Sequence, residues 1–407
     1  MKHFLPFILL LICAAASAKD YPLAVEGVKP KRLDNPPTQE KIRESIGRGV
    51  NFLLERQNPN GSWGSARRTK QLNIYAPGSS HDAYRAGTSA LGLTALLEVE
   101  AMTKRKEKPL ELETLGVDQE KFDTAIEKAE WWMRDHLPKL RRSSDDCLYN
   151  VWGHAYGIQS LVRMLHRPGR NMTDDTERNE KIRELIRGQV DMLRRFETLN
   201  GGWFYYDQNK TSPPSETTAS FVSAAGLIAL KEAEKEGIEI PEKMIKKTVA
   251  SVKRQRLPDF SYLYGEYLWK SPRAGINRPA GSLGRSQACN LALKWWGDED
   301  VTDAVLINWL DRLYARNGWL DVGRKRPIPH ESFFAIAGYF FYYGHYYAAL
   351  CIEEIPEAER TVYKEFLADV LVGLQETDGS WWDYPLYDYH QPYGTGFAIQ
   401  SLLRTLD

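Results

Sequence analysis

Two histidines followed directly by a carboxylate are the side chains best suited to moving a proton: His81 before Asp82, and His330 before Glu331. Imidazole titrates near neutrality, and a neighbouring acid can hold or receive its proton, so these four are the candidate catalytic residues. Arg85 and Arg285 could clamp a carboxylate or phosphate through paired hydrogen bonds, or equally tie neighbouring helices together. Tyr84, Trp152, His154, Glu216, Tyr389, His390 and Tyr393 complete a candidate ligand-binding set of aromatic and polar groups. Glu216 follows Ser215, where the start of a helix favours an acid on its own account.

These residues share a position in a repeating pattern. The spacing of apolar side chains predicts six pairs of helices: 39–56 with 84–102, 119–136 with 151–166, 177–196 with 216–235, 241–256 with 281–296, 301–315 with 332–352, and 356–375 with 393–406. Between the members of a pair lies a turn and then an aromatic residue. Trp203, Tyr262, Trp319 and Trp381 follow one another at steps of 59, 57 and 62 residues, and Trp63 stands 140 residues before the first of them. A fixed period with one hairpin per unit marks a repeat architecture. Nearly all the candidates fall in these loops or at the start of a second helix, so a ring of such units brings them to one mouth.

The two helices of a pair differ in kind. First helices set an apolar stripe beside dense charge, as in Ile245-Lys246-Lys247-Thr248-Val249. Second helices, such as 219–230 and 334–350, carry little charge and many small residues, which suits burial on all sides. The last helix runs apolar almost to the C-terminus with no polar cap, so it needs a partner, and the first repeat supplies one. The expected fold is therefore all-α: an (α/α)6 barrel, or toroid, of six helical hairpins with the apolar helices inside. Tyr342, Tyr343, Tyr346 and Tyr347 at helical spacing read as packing.

Arg48-Gly49, Phe52-Leu53, Gln57, Gly61 and Trp63 resemble the glutamine–tryptophan repeat of the terpenoid-cyclase and protein-prenyltransferase superfamily. Gln375, Gly379 and Trp381 repeat the match, as do Gly201 and Trp203 with Glu197 in the glutamine's place. That resemblance implies a squalene-cyclase-like toroid. It leaves the reaction open, because the same barrel carries cyclases, transferases, glycan-cleaving enzymes and binding domains. The chain lacks the Asp-x-Asp-Asp acid motif of triterpene cyclases; its nearest acid cluster, Asp298-Glu299-Asp300, precedes an outer helix whose start it would stabilise. Asp174-Asp175 is followed by Arg178, so the metal-binding class-I motif is absent too. Asp145 and Cys147 have the Asp-x-Cys spacing of prenyltransferase zinc ligands, with His390 or His330 as a third. We read Cys147 instead as a small buried residue and the acids as loop residues, and assign no metal or cofactor.

The first eighteen residues read as a signal peptide: a basic start, an apolar run from Phe4 to Cys13, and the small-residue site Ala16-Ser17-Ala18. Residues 19–38 are a proline-rich lead-in, and 39–407 form the toroid domain. The expected location is secreted or periplasmic. Equal numbers of basic and acidic side chains, 54 each, give no field to attract nucleic acid, and no stretch is long enough to span a membrane. Three cysteines remain after cleavage, too few for a disulfide framework, so core burial must carry stability. The expected partner is a small-molecule, lipid or glycan ligand. Three functions compete: an isoprenoid- or lipid-handling toroid, an extracellular glycan lyase or hydrolase on the same barrel, and a non-catalytic binding toroid.

Overall fold

A computed structural model describes residues 28–71, 74, 76–167, 172–214, 217–331 and 334–407, the side chains of 172–175 excepted. The signal-peptide expectation and residues 19–27 of the lead-in lie outside the described residues. Thirteen α-helices follow: α1 (Gln39–Arg56), α2 (Ser80–Thr103), α3 (Gln119–His136), α4 (Asn150–His166), α5 (Met172–Arg195), α6 (Ser220–Lys235), α7 (Glu242–Arg254), α8 (Ser286–Trp295), α9 (Asp303–Ala315), the single turn α10 (Asn317–Asp321), α11 (Phe341–Glu354), α12 (Glu357–Gly373) and α13 (His390–Leu403).

Outer helices form because one stripe can be buried while the rest stays wet. In α7, Met244, Ile245, Thr248, Ser251 and Val252 face inward and the lysines between them face water. Thr38 and Asp118 cap α1 and α3 by accepting the backbone N–H groups of Lys41 and Lys121. Inner helices have no wet face: from Ala86 to Leu97 every residue of α2 is buried. These inner helices, α2, α4, α6, α8, α11 and α13, each pack on the next, and α13 returns to α2, which closes the ring. The (α/α)6 barrel expected from the sequence is the observed fold.

One loop design is used four times. The backbone N–H of Asn58 donates to the Ser62 carbonyl, and the same bond recurs at Thr198–Gly202, Leu257–Ser261 and Glu376–Ser380. An aromatic residue follows each, and its N–H donates to a hydroxyl on the inner-helix side: Trp63 to Ser89, Trp203 to Ser223, Tyr262 to Ser282, Trp381 to Thr395. All three tryptophans are fully buried, and each indole N–H donates at 2.8 Å to a carbonyl ten residues upstream, at Leu53, Leu193 and Leu371. The glycine two residues before Trp63 and Trp381 adopts positive φ and presses on the next outer helix. A Cβ on Gly61 would meet the Lys128 carbonyl oxygen at 2.2 Å, and one on Gly379 would meet that of Arg48 at 2.5 Å. In the fourth repeat Phe260 takes this place at φ +60°, with the Arg256 guanidinium 5.0 Å from its ring.

The sixth loop is the closing seam. Gln375 donates to the Ser45 carbonyl of α1 while also bonding Gly379, as Gln57 bonds Ala125 of α3 and Gly61. Arg48 reaches the Glu376 carbonyl, and Gln400 of α13 donates to Leu91 of α2. Below the mouth, the axis is filled. Tyr346 and Tyr347 are wholly buried, and beneath them Glu98 joins Arg163 and Arg404, which bind Glu232 and Glu353 in turn. Burial acts to raise the Glu98 pKa, but Arg404 and Arg163 outweigh it and hold the carboxylate below its ordinary range.

The fifth repeat departs from expectation. Trp319 is not a buried anchor: it lies on α10, 39% exposed, stacked at 4.9 Å on Phe334. Gly318 there has neither positive φ nor a neighbouring helix against it, so nothing forces the turn, and the chain coils into a helix instead. The following inner helix starts at Phe341 rather than 332. The Asp298-Glu299-Asp300 cluster also acts differently than expected. Asp298 binds Lys253 and Arg256, and Asp300 binds Arg256, which ties α7 to the loop before α9.

Substitution of Gly379 by alanine should therefore cost both the left-handed backbone and the contact with Arg48, on the order of 2–4 kcal/mol. Gly237→Ala, at φ +77° with nothing within 4 Å, should cost only about 1–2 kcal/mol. Denaturant unfolding of both variants checks this; equal losses would mean that the seam is not tightly packed.

Candidate functional site

The first turns of the inner helices meet at one end of the ring around a cavity of about 360 Å³. Ala83, Tyr84 and Gly87 come from α2, Trp152 and Tyr156 from α4, Phe221 from α6, Tyr343 from α11, and Tyr393 and Phe397 from α13. Loops add Tyr149, Tyr205 and Tyr206 on one side and Pro329, His330, Tyr339, Phe340 and Tyr384 on the other. Among the described residues lining it there is no acid, lysine or arginine. The wall is a continuous set of ring contacts: Trp152 to Phe221 at 6.0 Å, Phe221 to Phe340 at 4.9 Å, Tyr84 to Tyr149 at 5.1 Å. The first of these is stacked, the second edge-on and the third tilted, and interlocked planes of this kind make the wall stiff.

Of the residues chosen from sequence, Tyr84, Trp152, His330 and Tyr393 line this cavity. His81, Arg85 and Tyr389 gather at its rim beside Tyr84: His81 and Tyr389 are 6.0 Å apart, and the Tyr389 hydroxyl donates to the His81 carbonyl. Burial and Arg85 hold the His81 pKa below its usual value despite Asp82, which stands exposed at the surface. His330 and Glu331 do not act as a pair. Glu331 faces outward to Arg326 at 2.9 Å, while His330 turns inward.

Three others lie away from the cavity. His154 is fully buried between Asn150 and Gln189, stacked on Phe196, and burial lowers its pKa to about 4. Arg285 is also wholly buried and spends its guanidinium on the carbonyls of Tyr262, Gly281 and Ile276. It is the tie, not the clamp. His390 bonds the Tyr387 carbonyl and packs edge-on against Trp382; burial lowers its pKa to about 4. Glu216 lies outside the described residues. Cys147 is buried and unbonded to other cysteines, with its thiol pKa raised by burial, and among the described residues no three His, Cys, Asp or Glu converge as metal ligands.

The candidate set drawn from sequence omitted the polar groups that serve the cavity. Tyr339 donates to His330 Nε2 at 3.1 Å, and its oxygen lies 3.1 Å from the Tyr264 hydroxyl, which in turn bonds Tyr205. His330 and Ala335, joined by a bond of 2.6 Å from His330 Nδ1 to the Ala335 carbonyl, both hold positive φ, at +64° and +53°. Such strain outside glycine is worth about 1–3 kcal/mol and persists only where surroundings impose it. Asp383 is wholly buried, and accepts from the Tyr393 hydroxyl and from the Tyr342 N–H at the start of α11. Burial pushes its pKa up to about 7, against the pull of those two bonds. A protonated Asp383 would donate to Tyr393 and free the tyrosine's hydrogen, so its charge state sets what Tyr393 offers the cavity.

No known protein-family profile matches the chain, and no curated protein matches it by sequence. Among solved structures, the apo type II terpene cyclase MstE from Scytonema aligns at 13% identity and TM-score 0.47, covering 91% of this chain and 99% of that one. A family 76 glycoside hydrolase from a bovine Bacteroides thetaiotaomicron strain aligns at 10% identity and TM-score 0.48, covering 90% and 77%. Among the described residues no helix is long and apolar enough to cross a membrane.

Asp383 makes stability fall with pH. Below about pH 4 its carboxyl is protonated in both states. Between there and about 7 the folded chain keeps a proton that the unfolded chain has released, so rising pH destabilises the fold until it levels off. Asp383→Asn, neutral at every pH, should reduce the loss between pH 5 and pH 8 by on the order of 2–3 kcal/mol. Urea unfolding at the two pH values measures it; an unaltered pH slope would mean that Asp383 is ionised throughout.

Proposed function

We propose that the protein is an exported toroid that takes an apolar small molecule, of isoprenoid or similar lipid character, into the aromatic cavity at its mouth. The observation that carries this reading is the lining itself, in which aromatic and aliphatic side chains enclose about 360 Å³ and, among the described residues, no acid, lysine or arginine takes part. Pockets of some 300–1,000 Å³ with such walls hold small ligands by burial of apolar surface, at roughly 25 cal/mol per Å². Ring faces also suit an electron-poor or unsaturated chain, at about 0.5–2 kcal/mol for each face that meets a cation. Glycan cleavage would require two carboxylates facing the ligand. Asp383 lies behind Tyr393, and Asp82 and Glu331 point to solvent, so none of the three is placed for that work. The signal-like start of the chain supports export.

Gly87 offers the test. It lines the cavity, and a Cβ there would stand 3.8 Å from Tyr156, an ordinary contact. The same Cβ stands 3.9 Å from the α4 backbone at Trp152 and Gly153, so Gly87→Ala fits in ordinary contact and narrows the cavity without parting the two helices. Farnesol binding, followed by quenching of tryptophan fluorescence, should weaken about threefold, with the thermal midpoint within a few degrees of wild type. Equal binding by the two proteins would remove this cavity as the site.

A further inference from the structure

We infer that the cavity selects ligands that end in a hydroxyl group, because a one-way chain of hydrogen bonds leaves Tyr205 as a hydrogen-bond acceptor on its wall. This rests on the proposed apolar-ligand reading and narrows it from lipids in general to alcohols.

The direction of the chain follows from counting hydrogens. His330 Nδ1 lies 2.6 Å from the Ala335 carbonyl, which can only accept, so Nδ1 carries the ring's proton and Nε2 of the neutral imidazole is an acceptor. Tyr339 has one hydroxyl hydrogen, and it goes to Nε2 at 3.1 Å. The contact between Tyr339 and Tyr264, also 3.1 Å, then requires the hydrogen of Tyr264. The bond between Tyr264 and Tyr205 in turn requires the hydrogen of Tyr205. Burial raises the pKa of each tyrosine, so all three stay neutral and none can accept twice as a phenolate. Tyr205 lines the cavity and is not fully covered, and with its hydrogen committed only its oxygen lone pairs remain. They accept; they cannot donate. An alcohol satisfies them, whereas an ether or a hydrocarbon of the same length does not.

His330 is therefore a positioning residue at the far end: the bond from Nδ1 to the Ala335 carbonyl, made where both residues hold left-handed backbone, leaves Nε2 for Tyr339. Tyr339 passes the orientation on.

The test compares farnesol, farnesyl methyl ether and the C15 hydrocarbon farnesene at pH 8 on wild type, Tyr205→Phe and Tyr339→Phe, by fluorescence titration. Wild type should bind the alcohol about fivefold more tightly than the ether, the worth of one hydrogen bond. Tyr205→Phe should bind both about equally. Tyr339→Phe, which leaves Tyr205 in place but frees Tyr264 to donate back to it, should also lose most of the preference. A merely structural tyrosine would weaken all three ligands together and leave their ratio unchanged. Binding of the three probes with equal strength to wild type overturns this inference and leaves the apolar cavity standing. Binding of none of them overturns both.

Discussion

The barrel depends on one small hydrogen bond made three times over: an indole N–H handed back to a backbone carbonyl ten residues earlier. At Trp63, Trp203 and Trp381 that bond fixes a large ring at the end of an outer helix, where the chain must leave it. A buried indole without a partner would be costly, so the ring can sit in only one way. Its backbone N–H then takes a hydroxyl of the neighbouring segment, and the preceding glycine docks on the next outer helix. A single residue thus specifies contacts in three directions: back along its own hairpin, inward and sideways. Repetition of that junction turns hairpins into a ring, and the closing copy at Gly379 meets Arg48 with the same geometry as the others.

Once the ring exists, its interior is decided by what the second helices carry at each end. The starts of α2, α4, α6, α11 and α13 bring tyrosine, phenylalanine and tryptophan to the cavity, and the far ends of α2, α4, α6 and α11 hold Glu98, Arg163, Glu232 and Glu353. Aromatic rings leave space among themselves because stiff planes cannot collapse onto one another. Opposite charges in a dry setting draw together and leave none. Hollow above and solid below are therefore consequences of residue type along the same inner helices.

Most of this architecture could be read from the chain. The aromatic period, the contrast between charged and uncharged helices, and the uncapped last helix were each visible, and together they require a closed toroid. The repeat failed as a guide where one position broke it. Trp319 has the right residue type and interval, but Gly318 has no neighbouring helix to press on, and sequence alone does not report that. The site was partly legible. Tyr84, Trp152 and Tyr393 were identifiable because helix starts must face the mouth, and His330 because it lies in a loop leading to that end. His154, Arg285 and His390 begin inner helices too, yet a turn of about 100° per residue sends them into the wall rather than the cavity. Periodicity narrowed the choice to an end of a helix and could not select the face. Tyr339 escaped notice because the relay it forms with Tyr264 joins loops 75 residues apart in sequence.

The charged floor under the cavity has a kinetic corollary. Glu98, Arg163 and Arg404 hold the lower end of the axis together with ions that would be stranded unpaired if they parted. For a ligand of the kind proposed above, entry and exit would then share the tyrosine-lined mouth, and an unreleased molecule would block its successor by occupying the passage itself.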